Sequence, residues 1–540
     1  MLGFNALLPA VCSALALGPL ASSGEITQSL TLAPADNQAD DFLGWSVDMS
    51  GTIGIVGAPH DSDTAFRAGS AYLFDLSTGA QIAELHAEDG TNSDRFGSSV
   101  AISGSLAVMG APGDNTGTAG GAGAGSAYVF DVVTGEQLFK LMAADANPFD
   151  RFGDSVDISG TTIVVGARQH DASGVDAGAV YLFDATTGLQ LAKLFPGDPS
   201  AGAEFGRAVA IHGDTVLVGG MFDSSQGAST GSAYLFDAST GAQLAKLLPA
   251  DSTTTNRFGS SVALNETLAL VGADGASNGG AAYLFDLASG TQTHKLISQE
   301  VAGGYSFGSS AALSESTALV GARSGGPKPF AGGGSAYLFD LNTGIEGSTL
   351  LASGRFLGKD FGSGVALLGT LALVGDSDHG GNGLNAGIAY LLGPVPESYC
   401  TGGTSATGCR AAITGRGVAS ATLASGFEIV AEGVPGLRNG IFFYGTSGRQ
   451  ANAWGNGNSF QCVAPPVSRG ALQVGHGTVG LCDSSLVMDL NSRWCASCPK
   501  PAQNPGAGII MQAQLWYRDP LNTSNQTTSL SNAVEFTVAP

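Results

Sequence analysis

The sequence predicts an all-β protein: a seven-bladed β-propeller with four-stranded blades, closed by its N-terminal strand and followed by a small disulfide-stapled β-sandwich. Three observations carry this prediction. A unit of about 50 residues recurs seven times, glycine supplies 82 of 540 positions, and six of the seven cysteines fall near the C-terminal end. Short apolar runs between glycine-rich turns are typical of strands, and the spacing of three and four residues that amphipathic helices need does not recur.

Residues 1–23 are predicted to be a signal peptide. An apolar run from Leu7 to Leu17 is followed by Gly18, Pro19 and small residues up to Ser23, where cleavage is expected. No Lys or Arg precedes the run, so a buried strand or helix is the alternative. No later apolar run reaches the roughly 20 residues that span a bilayer. We therefore expect a secreted or cell-surface protein without a membrane span.

Residues 24–396 contain the seven copies of the repeat. Each copy has a Phe-Gly pair, an apolar run that ends in Gly-Ala or a relative, and the segment Ala-Tyr-Leu-Phe-Asp or a variant. A Thr-Gly or similar turn and a fourth run follow. The pairs begin at Phe96, Phe152, Phe205, Phe258, Phe307 and Phe361, and Leu43-Gly44 is a degenerate first copy. Four strands in about 50 residues indicate a propeller blade. The recurrent aromatic residues are expected to pack between neighbouring blades.

The two ends of the repeat region predict how the ring closes. The seventh copy ends at Tyr390 without a fourth strand, whereas the segment from Gln28 to Leu32 precedes the first copy and matches Gln243 to Leu247. An incomplete ring would leave unpaired sheet edges facing each other. We therefore expect the N-terminal strand to complete the seventh blade.

Residues 26–393 resemble the FG-GAP repeat of the integrin α-chain propeller, and more closely the bacterial FG-GAP variety of exported proteins. The motif is intact in copy two, as Phe96-Gly97 followed by Gly110-Ala111-Pro112. The resemblance implies a seven-bladed propeller that serves extracellular recognition. In the integrin type, several turns between the first two strands bind calcium. Here such turns, for example Ser103-Gly104, offer too few oxygen ligands, so calcium is not expected in them.

The long connections, from second to third and from fourth to first strand, are predicted to share one face. They vary most among the copies and carry many acidic residues, which favours a recognition surface there. Asp61, Asp63, Asp376 and Asp378 are the candidate metal ligands on this face, where Ca²⁺ is the candidate ion; a solvated acidic loop is the alternative. His60, His170 and His379 lie in the same loops and are expected to be solvated.

Residues 397–540 are predicted to be the β-sandwich module. Its disulfide candidates are Cys400, Cys409, Cys462, Cys482, Cys495 and Cys498, with the pairing open. Cys495 and Cys498 have the spacing of a redox motif, but the βαβ context of that motif is missing, as is a second cysteine pair for zinc. The segment from Leu515 to Pro520 resembles a tail module of exported bacterial proteins, a likeness that implies no particular role.

Composition and motifs narrow the function. The net charge of −23 disfavours binding to nucleic acid. The His-Glu-x-x-His and Walker-type motifs are missing from the sequence. We therefore expect a monomeric, exported, non-enzymatic recognition or adhesion protein that binds an extracellular protein or polysaccharide, with Ca²⁺ on the long-loop face as its one candidate cofactor. The alternative is a secreted enzyme that cleaves a polysaccharide or phosphoester with carboxylates from different blades.

Overall fold

In the computed structural model, residues 26–115, 121–171, 173–251, 253–277, 279–298, 306–324, 333–351, 360–380 and 384–394 are described, and beyond residue 394 only ten strands. The predicted signal peptide lies outside these residues. All regular elements of the described chain are β-strands. No helix of the described residues has the length and apolar character to cross a membrane.

Seven four-stranded antiparallel sheets form the repeat region, and within six of them the strands pair in the order of the sequence. The N-terminal strand is β1 (Ile26–Leu32). The first three blades comprise β2 (Ser46–Ser50), β3 (Ile53–Ala58), β4 (Ser70–Asp75), β5 (Gln81–Leu85); β6 (Ser99–Ser103), β7 (Leu106–Ala111), β8 (Ser126–Asp131), β9 (Gln137–Leu141); and β10 (Phe152–Ser159), β11 (Thr162–Ala167), β12 (Ala179–Asp184), β13 (Gln190–Leu194).

The remaining four blades repeat this arrangement. They comprise β14 (Phe205–His212), β15 (Thr215–Gly220), β16 (Ser232–Asp237), β17 (Gln243–Leu247); β18 (Phe258–Leu264), β19 (Leu268–Ala273), β20 (Ala281–Asp286), β21 (Gln292–Leu296); β22 (Phe307–Leu313), β23 (Thr317–Ala322), β24 (Ser335–Asp340), β25 (Glu346–Leu350); and β26 (Phe361–Leu368), β27 (Leu371–Asp376), β28 (Ile388–Pro394).

The N-terminal strand closes the ring as the sequence predicts. The seventh sheet has the order β1-β28-β27-β26, with β1 antiparallel to β28 and Thr31 opposite Tyr390. The fourth strand of the last blade therefore comes from the start of the chain. This pairing satisfies the edge of β28 and joins the two ends of the propeller.

The glycines of the repeat lie where neighbouring blades approach most closely. Gly153, after Phe152, has a φ of +87°, a conformation that favours glycine. A Cβ atom on Gly110 of the preceding blade would lie 1.8 Å from the carbonyl oxygen of Gly153. That oxygen accepts a hydrogen bond from the hydroxyl of Ser99 at 2.9 Å. The Phe-Gly and Gly-Ala pairs therefore form a single contact between blades.

The recurrent aromatic side chains fill the space between blades, as expected. In the third blade Phe152 packs edge-on against Tyr181 and Phe183, with ring centroids 5.5 and 5.7 Å apart. This group meets Val108 and Val129 of the second blade in one buried cluster. Buried aromatic residues stabilise such contacts by several kcal/mol, about 3–5 on truncation to alanine. The same trio recurs in blades two to six. In blade one Leu43 replaces the first phenylalanine, and in blade seven Leu392 replaces the second.

The first strands form the innermost layer, because those of neighbouring blades contact each other all the way round. Short turns follow the first and third strands at one face of the ring. The long connections follow the second and fourth strands at the other face. We call the latter the long-loop face and the former the short-turn face.

The C-terminal strands form three sheets. The strands are β29 (Glu397–Tyr399), β30 (Ala412–Gly417), β31 (Phe427–Val434), β32 (Gly440–Gly445), β33 (Arg449–Trp454), β34 (Ser459–Val463), β35 (Ser468–Gln473), β36 (Ser484–Asp489), β37 (Ile510–Arg518) and β38 (Thr528–Thr537). Their orders are β29-β38-β37-β32-β35, β30-β31-β36 and β33-β34. Among the six cysteines only Cys462 lies in a described strand, so the disulfide pairing lies outside the described residues. The stapled sandwich and the boundary near residue 396 stay predictions.

Candidate functional site

The long-loop face is held together by a repeated backbone ladder. In blade one, Ser93, Arg95 and Phe96 donate their N–H groups to the carbonyls of Phe66, Arg67 and Ala68. The same three-bond pattern joins the loops that follow β7 and β9, β11 and β13, and β15 and β17, and it recurs where the seventh blade meets the first. In these five blades the second-to-third loop is thereby fixed to the next fourth-to-first loop. The long loops are thus an ordered surface built on the rigid sheets.

Large apolar side chains stand exposed on this ordered surface. Phe66, Phe149, Val175 and Leu384 are 61%, 65%, 68% and 79% exposed. All four lie in the long loops, and the backbone of each takes part in the ladder. Because the backbone is fixed, these side chains present an apolar surface without a large loss of chain entropy on binding. Exposed apolar residues in an ordered setting are typical of interaction sites.

Beneath the loops, several acidic side chains of blades two to five belong to internal networks. In blade four, Lys246 lies on β17 opposite Tyr234. Its ammonium is 2.6 Å from Asp198, which comes from the preceding fourth-to-first loop, and 2.9 Å from Asp223. The Tyr234 hydroxyl donates to Asp223 at 3.0 Å. Against the effect of burial, Ser232 and Lys246 lower the pKa of Asp223 to about 2. The negative charge of this carboxylate is therefore already compensated by Lys246 of the same blade.

The same register position carries the lysine in four blades. Lysines lie opposite the tyrosine in blades two to five, as Lys140, Lys193, Lys246 and Lys295. In each, the ammonium contacts an aspartate of the preceding fourth-to-first loop, Asp89, Asp145, Asp198 and Asp251 respectively. In these four blades part of the loop acidity is thus balanced from within, and less of it faces a partner than the sequence suggests.

Blade one departs from this pattern. Glu84 occupies the lysine position opposite Tyr72, and Asp36 occupies the position of Asp198. Asp36, Asp63 and Glu84 offer carboxylate oxygens within 4.8 Å of one another, the residues of the described chain best placed to hold a metal ion. Burial, together with the negative charges of Asp61, Asp36 and Asp63, raises the pKa of Glu84. The local field therefore favours a positive charge that the blade itself does not supply.

The four predicted metal ligands lie in two groups. Asp61 is buried and accepts a hydrogen bond from the Tyr72 hydroxyl at 2.6 Å, whereas Asp63 is exposed beside it. Asp376 is also buried; it accepts from the Asp360 backbone at 3.1 Å and lies 3.3 Å from Nδ1 of His379. Burial and the charge of Asp376 raise the pKa of the half-buried Asp378. Among the four, Asp63 joins the three-carboxylate group, and metal binding by the set stays a prediction.

The loop histidines are less solvated than expected. His170 is 1% exposed, with Nδ1 2.8 Å from Asp150 and Nε2 2.7 Å from the Lys193 ammonium. His379 is partly buried against Asp376 and the Tyr390 ring. These residues occupy the position that Asp61 and Asp223 occupy in other blades. Tertiary packing places that position under the loops, so its residues serve the internal networks.

Sequence reasoning missed the arginines of the long-loop face. Six described propeller arginines lie in long connections and Arg207 lies near the start of β14, which places all of them at the same end of the blades: Arg67, Arg95, Arg151, Arg168, Arg207, Arg257 and Arg323. Arg168 forms 2.8 Å ion pairs with Asp154 of its own blade and Glu204 of the next. The signal was available in the sequence, because arginine recurs immediately before Phe-Gly.

Comparison with protein families explains the repeat. A family model described as the FG-GAP repeat matches residues 26–74, 80–130, 136–183, 189–236, 242–285 and 291–339, which together are more than half of the chain. The chain belongs to the FG-GAP repeat family. Each match of this FG-GAP protein begins with the fourth strand of one blade and ends with the third strand of the next. This offset of one strand is what leaves β1 free to close the ring.

The seventh blade completes the set that the six matches begin, and the whole resembles the N-terminal propeller of the integrin α-chain. The comparison with curated proteins finds no match. An FG-GAP propeller is in general a scaffold for protein interaction.

Proposed function

We propose that this FG-GAP protein is an exported, monomeric, non-enzymatic recognition protein that binds an extracellular protein or polysaccharide through its long-loop face. The observation that carries the proposal is the ordered apolar surface on that face. Phe66, Val175 and Leu384 project from loops whose backbones are fixed by the ladder. A few side chains carry most of the binding energy of an interface, and side chains on a preorganised backbone lose less entropy on binding.

The charges of the face support the same function. The lysine–aspartate networks pair six loop carboxylates in blades two to five, so a partner does not have to desolvate those six as free acids. The arginines add positive groups to the same face, on a chain whose net charge is −23. A partner therefore meets apolar side chains and guanidinium groups in place of a uniformly acidic surface.

The test compares two sets of substitutions in the full chain. Replacing Phe66, Val175 and Leu384 with serine removes the apolar side chains of the long-loop face. The matched control replaces Val133 and Leu189, which are 78% and 66% exposed in short turns between third and fourth strands. Binding to purified extracellular matrix proteins and polysaccharides is measured by biolayer interferometry. The first set should weaken binding at least tenfold, or about 1.4 kcal/mol, and the control should leave it unchanged.

Equal loss of binding in both sets would contradict the assignment to the long-loop face. The same purified protein is assayed for cleavage of polysaccharides and phosphoesters. Turnover that disappears when one carboxylate of a long loop is replaced by its amide would favour the alternative, a secreted hydrolase.

A further inference from the structure

A cavity of about 260 Å³ opens on the long-loop face between blades four, five and six. It is lined by the ends of first and second strands, which places it beside the central axis. The lining residues include three guanidinium groups, two hydroxyls and one carboxylate: Arg207, Arg257, Arg323, Ser260, Ser309 and Asp274. Three arginines around one small cavity are unexpected on a chain with a net charge of −23.

The three guanidinium groups converge on Asp274. Burial raises the pKa of Asp274, and the positive charges of the three arginines lower it by a smaller amount. Two of the arginines lack a close acidic partner. The nearest ion pair of Arg257 is with Asp274 Oδ1, at 3.9 Å, and among the described residues Arg323 forms no ion pair within 4 Å. The cavity thus holds more positive charge than its own carboxylate compensates.

Polar atoms of the cavity also lack partners. The Ser309 hydroxyl is buried and has no hydrogen-bond partner among the described residues, and the same holds for Oδ1 of Asp274. A buried hydroxyl without a partner costs about 1–3 kcal/mol. An incoming acceptor would satisfy the Ser309 hydroxyl.

Blade three provides the internal comparison. There Arg168, which follows the Gly-Ala pair, forms 2.8 Å ion pairs with Asp154 of its own blade and Glu204 of the next. In blade six, Arg323 takes the place of Arg168 and Ser309 takes the place of Asp154. Asp360 corresponds to Glu204, and Arg323 acts on it electrostatically, but the two form no ion pair. The arginine and the acid of the next blade are retained, but the carboxylate of its own blade is replaced by the Ser309 hydroxyl.

We propose that this cavity binds an oxyanion group, a carboxylate, sulfate or phosphate, which takes the place of the missing carboxylate. Arg323 and Arg257 bind its oxygens, and the Ser309 hydroxyl donates a further hydrogen bond. Planar guanidinium groups match the paired oxygens of such anions and form the stronger class of hydrogen bonds. The proposal adds a ligand class to the long-loop face; it rests on the proposed function only for its biological role, since a small anion can bind without a partner.

The experiment measures binding of inorganic sulfate, inorganic phosphate and citrate to the full chain by isothermal titration calorimetry. Ionic strength is held constant with sodium chloride, so that general screening does not change. At least one of the three anions should bind saturably to the wild-type protein, and the comparison of the three arms identifies the preferred oxyanion.

Three variants locate the site. Arg323→Gln should weaken binding at least about tenfold, the usual effect of losing a charge-assisted hydrogen bond. Ser309→Asp restores the carboxylate that blade three carries at this position. The new carboxylate should form an ion pair with Arg323 and abolish anion binding. Arg67→Gln makes the same change of charge on the same face, outside the cavity, and should leave binding unchanged. A thermal melt of each variant shows that it is folded.

The proposal is overturned if none of the anions binds more strongly than chloride. It is equally overturned if folded Arg323→Gln and Ser309→Asp proteins bind as the wild type does, or if Arg67→Gln weakens binding as much as they do. Failure of the partner assay above, with anion binding intact, would contradict the recognition function and leave the anion site standing.

Discussion

Replacing Glu84 with lysine should stabilise the propeller at neutral pH. The change gives blade one the residue that blades two to five carry opposite the tyrosine. In blade four the corresponding ammonium lies 2.6 and 2.9 Å from two aspartates and is 18% exposed. The new lysine would meet Asp36 and Asp63 in place of a third like charge.

The magnitude follows from this geometry. A hydrogen bond between charged groups contributes about 1.5–3 kcal/mol when it is well shielded from water, whereas exposed ion pairs contribute about 0–1. Asp36 and Asp63 are exposed and Glu84 is half-buried, so we expect the free energy of unfolding to rise by about 1 kcal/mol. For a domain of this size that corresponds to about 2 °C in Tm.

The assay is a thermal melt by calorimetry at pH 7.5 and at pH 4.5, in EDTA so that no cation compensates the carboxylates. Because the pKa of Glu84 is raised in the folded protein, repulsion in the wild type is relieved as the pH falls. The advantage of Glu84→Lys should therefore shrink at pH 4.5. The reciprocal variant Lys246→Glu should lose about 3 kcal/mol, because it leaves Asp198 and Asp223 without their cation. A lower Tm for Glu84→Lys at pH 7.5, or an equal gain at both pH values, would refute the reasoning.

Three further predictions concern the ring. Gly110→Ala should destabilise the propeller by about 3 kcal/mol or prevent folding, because its Cβ would meet the Gly153 carbonyl at 1.8 Å. Gly104→Ala is the control: it has free space around it and should cost about 1–2 kcal/mol from its φ alone. Chemical denaturation compares the two variants. Deleting residues 24–34 removes β1 and should lower Tm sharply, since β28 loses its partner; an unchanged melt would contradict closure by this strand. Burial and the charge of Asp48 raise the pKa of Asp157 to about 7, so the contribution of this group to stability is fully present below about pH 4 and is lost as the pH rises through 7. The free energy of unfolding, measured with urea, should therefore fall less between pH 5 and pH 8 for Asp157→Asn than for the wild type. Identical losses in the two proteins would contradict this role of Asp157.

The fold could be predicted from the sequence because its information is local and repeated. Phe-Gly, Gly-Ala and Ala-Tyr-Leu-Phe-Asp recur at similar spacing. Each copy predicts the same four strands and the same buried aromatic residues. The same pattern predicted closure by β1, because the segment from Gln28 to Leu32 matches the fourth strand of other copies but precedes the first copy. It pairs with β28 in the seventh blade. In a repeat protein each unit contacts mainly its neighbours, so the pattern of one unit fixes the packing of all.

The site depended on contacts that no single repeat contains. Lys246 meets Asp198 of the preceding blade's loop, and Arg168 meets Glu204 of the next blade. These partners are 48 and 36 residues apart in the sequence, and the closed ring brings them together. Asp61 and Asp376 look like exposed loop acids in sequence but are buried under the ladder. Whether a charged group is paired depends on burial and on the distance to its partner, and only the tertiary structure sets both. The seven blades were therefore determined by the sequence, whereas the tertiary structure decided which charges remain available on the long-loop face.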